Sequence, residues 1–67
     1  MATPKFPNVE VQLSGKDGNA FSIISRTRKA MRKAGVLEAD IEAYVHEAKS
    51  GDYDHVLQTT VATVSTN

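Results

Sequence analysis

The chain has 67 residues and a mass of 7.3 kDa, with eight Lys/Arg against eight Asp/Glu, a formal charge of zero and no cysteine. That length holds one small domain over residues 1–67 and excludes a two-domain enzyme. The missing cysteines exclude disulfide staples, thiolate metal sites, iron–sulfur clusters and cysteine nucleophiles.

A domain of this size buries only about 60% of its unfolded surface. Without staples it needs an efficient helical core or self-association, so a homo-oligomer is expected. No stretch approaches the roughly 20 apolar residues of a membrane-spanning helix. The opening MATPKFP lacks an apolar signal core. A cytoplasmic location follows as the expectation.

Pro4 and Pro7 favour an extended start. Val9–Leu13 then alternates apolar and polar residues, the period of a half-buried strand. It ends at Ser14-Gly15-Lys16-Asp17-Gly18, a run of turn formers. Asn19 suits the N-cap of a helix over Ala20–Ala34, whose inward stripe is Ala20, Ile23/Ile24, Thr27, Ala30/Met31 and Ala34. Gly35 suits a left-handed C-terminal cap.

Leu37, Ile41, Tyr44/Val45 and Ala48 mark a second helix ending at Ser50-Gly51. Asp52 is the expected N-cap of a third, with Tyr53, Val56/Leu57 and Thr60 inward and its end near Gln58. The β-branched tail predicts a strand over Thr60–Val64, paired antiparallel with the first. The fold class is therefore α+β: strand, three helices, strand, with a two-stranded antiparallel sheet. The aromatics Phe6, Phe21, Tyr44 and Tyr53 are too sparse for a base-stacking platform and are assigned to the core.

Zero net charge hides a dipole. Residues 1–36 carry seven cations against two anions, a balance of +5, and residues 37–67 carry one against six, a balance of −5. Arg26, Lys29 and Lys33 share one face of the first helix, flanked by Arg28 and Arg32. Like charges at this spacing repel by a few tenths of a kcal/mol per pair, so a compensating anion or acidic surface is expected. The plain alternative is a solvated face whose last-turn cations complement the helix dipole.

Gly15–Asn19 joins strand to helix where backbone N–H groups favour an anion, and Lys16 could add charge there. The run lacks the Gly-Lys-Ser/Thr ending of a phosphate loop and the spaced glycines of a dinucleotide fingerprint. A plain turn is the favoured reading, because two glycines in a turn are common. His46 and His55, with Glu42, Asp52 and Asp54, form the one grouping suited to acid–base or metal chemistry. Their spacing matches no closed metal motif, and no nucleophile–base–orienter set accompanies them. No metal, cofactor or enzymatic activity is expected.

The runs PKFPNVEVQLSGKDGNAFSIISRTRKAMRKAGV and SGDYDHVLQT, from Pro4 to about Thr60, resemble a family of very short proteins from bacteriophages, prophages and other mobile elements. The final VATVSTN departs from that pattern in lacking a tryptophan. The resemblance transfers no site residues. It implies a small accessory protein that acts by stoichiometric binding to a host factor, including a defence system.

The expected function is thus a non-enzymatic binding protein. It would engage a host protein, or sequester an anionic nucleotide, through Lys16, Arg26, Arg28, Lys29, Arg32 and Lys33. The alternative is a nucleic-acid-binding regulator, which the acidic second half would oppose.

Overall fold

The computed structural model describes residues 3–15 and 17–67. In chain order the elements are β1 (Phe6–Val11), α1 (Ala20–Lys33), α2 (Glu38–Ala48), α3 (Tyr53–Thr63) and β2 (Val64–Thr66). The expected strand, three helices and strand are all present. No helix among the described residues is long and apolar enough to cross a membrane.

The two strands pair parallel, not antiparallel as expected. The reason lies in where α3 delivers the chain. The Lys5 N–H donates to the Ala62 carbonyl at 3.0 Å, so α3 ends beside the start of β1. The Leu13 and Ser14 N–H groups both donate to the Asn67 carbonyl, at 2.8 and 3.0 Å, so β2 ends beside the end of β1. A parallel pair needs a long crossover, and three helices supply it. The ladder is irregular between Phe6 and Glu10, where Pro7 has no N–H to give. The Pro7 carbonyl instead accepts from the Ser65 hydroxyl at 2.7 Å.

α1 begins where the Asn19 side chain accepts the Phe21 N–H at 2.8 Å. It ends at the Ala34 cap, followed by Gly35 at φ +85°, a left-handed conformation that glycine adopts without strain. Ala34 is therefore an exposed cap residue and not the last inward position of the helix. α3 begins at Asp52, whose carboxylate accepts the His55 N–H at 3.0 Å.

Its far end runs beyond the expected Gln58, through Thr63. The threonine hydroxyls are satisfied within the helix by bonding back one turn, Thr60 to the Val56 carbonyl at 2.8 Å and Thr63 to the Thr59 carbonyl at 2.7 Å, so none is buried without a partner. The strand is accordingly displaced to Val64–Thr66.

The core is one cluster. Val9 and Val11 of β1 meet Ile23, Ile24 and Met31 of α1, Ile41, Tyr44 and Ala48 of α2, Val56 of α3 and Val64 of β2. Besides Ala34, three residues expected inside are outside. Phe21 is 75% exposed, Leu37 at the start of α2 is 71% exposed, and Tyr53 is 48% exposed. Tyr53 faces outward because its hydroxyl donates to the Gly18 carbonyl, tying the start of α3 to the loop before α1.

One polar pair is sealed in the core. The Thr60 hydroxyl spends its proton on Val56, so the Tyr44 hydroxyl donates to the Thr60 oxygen at 2.8 Å. No buried side-chain polar atom is left unpartnered among the described residues. Thr60→Val keeps the shape but strands the phenol, a loss expected to cost about 1–3 kcal/mol. Urea unfolding should show that loss, and Tyr44→Phe in the same chain should recover most of it.

Candidate functional site: the basic face of α1

The buried side of α1 is fixed by Ile23, Ile24, Thr27 and Met31. The opposite side carries Phe21, Ser25, Arg28 and Arg32 at successive four- and three-residue steps, all exposed. Lys29 and Lys33 extend this surface on its flank and are exposed as well. The helix thus presents a convex, cationic ridge with an apolar residue at its N-terminal end.

The expected site residues do not act as one group. The Arg26 guanidinium turns back toward the loop after β1. It donates to the Asp17 carbonyl at 2.8 Å and the Gln12 carbonyl at 3.1 Å. Arg26 is therefore a clamp on the β1–α1 connection. Arg32 pairs with Glu38 of α2 at 2.7 Å, one point where the basic and acidic halves of the chain neutralise each other. Lys5 and Asp40 form a second, looser pair at 3.9 Å. Arg28, Lys29 and Lys33 form no ion pair among the described residues. Lys16 lies outside the described residues.

The loop before α1 is served from within. One Asp17 carboxylate oxygen accepts the Asn19 N–H at 3.0 Å and the other accepts the Ser22 hydroxyl at 2.9 Å. These hydrogen bonds, first that from Asn19, hold the Asp17 carboxyl below its ordinary value. With the Asn19 side chain on the Phe21 N–H, two backbone donors at this helix start already have partners.

Between α1 and α2 runs an open groove of about 340 Å³. Arg28 and Lys49 line it with Glu38 and Glu42, above a floor of Ile41 and Val45. The groove mixes both signs, so negative charge stands directly beside the basic ridge. The Arg32 hydrogen bond, aided by its charge and by that of Arg28, holds the Glu38 carboxyl below its ordinary value.

The histidines separate. His46 lines the α1–α2 groove. His55 Nε2 lies 2.8 Å from a Glu47 carboxylate oxygen and 3.3 Å from the Ser50 hydroxyl. Ser and Glu meet the same ring nitrogen, so the ring is not strung between them as a proton relay requires. The Ser50 hydroxyl also donates to the Glu47 carbonyl at 2.7 Å, which closes the end of α2. No three His, Asp or Glu side chains among the described residues come together in a way that could hold a metal ion.

Phe21 is exposed although its spacing predicts a core position. The available signal was its position directly after the N-cap, one residue off the Ala20–Ile23–Ile24–Thr27 stripe. Comparison with family models, with curated proteins and with solved structures finds no match.

The acid behaviour of these pairs has a definite sign. The His55 hydrogen bond, then that from Ser50, lowers Glu47, and the Arg32 hydrogen bond lowers Glu38, both from an ordinary value of 4.5. Stability from a carboxyl lowered by folding is fully present above its unfolded pKa and is lost as pH falls through the folded one. The urea midpoint should therefore decline as pH drops below about 4.5. Glu38→Gln and Glu47→Gln should each flatten that decline.

Proposed function

We propose that the chain is a non-enzymatic binding protein that docks on an acidic surface of another protein through the solvent face of α1. The observation that carries this reading is the set Arg28, Lys29 and Lys33, exposed on one helix without an ion pair among the described residues. Such a set is mutually repulsive and gains most when an external anionic surface meets it.

The shape favours a macromolecule over a small nucleotide. Arg28 and Lys29 are consecutive on a convex helix and point in different directions, so they do not converge on one phosphate group. Arg26 and Arg32 already have internal partners. A nucleic-acid backbone presents phosphates throughout and would meet Glu38 and Glu42 beside Arg28, whereas a protein surface that is acidic opposite Arg28, Lys29 and Lys33 can set cations of its own against those two carboxylates.

The likeness to mobile-element proteins supplies the biological setting: a host protein as partner, with interference in host defence as the outcome. Self-association and a cytoplasmic site of action belong to the same reading.

The test is capture from a bacterial host lysate, with wild type and the Arg28→Glu/Lys29→Glu/Lys33→Glu variant as baits. Wild type should retain an acidic protein in fixed stoichiometry by native mass measurement, and the variant should retain at least tenfold less. Matching far-ultraviolet spectra and urea midpoints of the two baits establish that both are folded before capture is compared. Equal capture by both baits overturns the reading. So does a mobility shift of a short DNA duplex that weakens steeply with salt.

A further inference from the structure

We propose that a second copy of this chain docks in the hollow between the start of α1 and the start of α3, in a two-fold dimer. This goes beyond the acidic-partner reading by naming the surface through which the chain self-associates.

The hollow holds about 400 Å³. Its floor is apolar, built from Ala20, Ile24, Ala48 and Val56, and its walls are Phe21 and Tyr53. Phe21, at 75% exposed, leaves more of its surface in water than any other large apolar side chain among the described residues. Tyr53 is held by its hydrogen bond to Gly18, so the wall is already in place before anything binds.

The rim says which partner fits. Lys49 and Asp52 stand on it with opposite charge, and neither forms an ion pair among the described residues. In a two-fold interface the same patch meets itself, and residue i of one copy faces residue j of the other. Lys49 of each copy then meets Asp52 of its partner, while each Phe21 ring enters the partner's hollow between that copy's Phe21 and Tyr53. The two opposite charges satisfy each other in both directions when the two-fold axis passes between them. The net charge of zero adds no long-range repulsion between copies.

A standard interface takes ~800 Å² per partner, about a fifth of the 4405 Å² surface of this chain.

Sedimentation equilibrium over a concentration series tests it. Wild type should rise from 7.3 kDa toward twice that mass. Phe21→Ser should raise the dimer dissociation constant at least tenfold with an unchanged far-ultraviolet spectrum. Lys49→Glu should raise it several-fold. Asp52→Asn keeps the side-chain oxygen that caps α3 and should raise it more modestly. A wild-type chain that stays monomeric throughout overturns the proposal. A dimer indifferent to both Phe21→Ser and Lys49→Glu overturns it equally. These variants are scored on mass and the acidic-partner reading on capture, so either can fail alone.

Discussion

β2 contributes only three residues, yet its pairing with β1 closes the whole chain into one unit. The Lys5–Ala62 and Leu13–Asn67 hydrogen bonds fix both ends of the sheet. The strand also delivers Val64, fully buried, into the cluster that Val9 and Val11 share with all three helices. A two-stranded sheet has little stability alone, so strands and helices depend on each other. The direction of the sheet is decided by α3, because the helix reaches the beginning of β1 before the chain becomes extended.

The same closure shapes the electrostatics. The connection after β1 must turn and enter α1, and it is clamped there by Arg26, Asp17 and Tyr53 through backbone carbonyls and N–H groups. Part of the positive charge of α1 is thus used inside the molecule. Arg32 is engaged by Glu38 across the α1–α2 turn. What remains outward is a narrower set than the charge count implies, Arg28, Lys29 and Lys33, and this is the set on which the proposed recognition rests.

The helices were legible in the sequence because their signals are local. Asn19 and Asp52 are caps whose side chains bond within three residues, and the Ile23–Ile24–Thr27–Met31 spacing names its own buried side. Strand direction was not legible, since it depends on where a remote helix ends. The end of α3 was hidden for a similar reason. A run of threonines reads as β-branched, but here Thr59 and Thr60 are buried as part of the helix and the Thr60 and Thr63 hydroxyls find partners in the previous turn. For the site, residue type and helix face were readable. The division between inward and outward cations was not, because the partners of Arg26 are main-chain carbonyls and carry no sequence signature.

The parallel arrangement of β1 and β2 has a mechanical side. Tension entering ahead of Phe6 and leaving after Thr66 pulls the strands along their length in opposite directions. The ladder is then loaded in shear, so its hydrogen bonds resist together. An antiparallel pair gripped at one end would peel open bond by bond. A translocating protease or unfoldase that grips either terminus must break this lock before it reaches the helices.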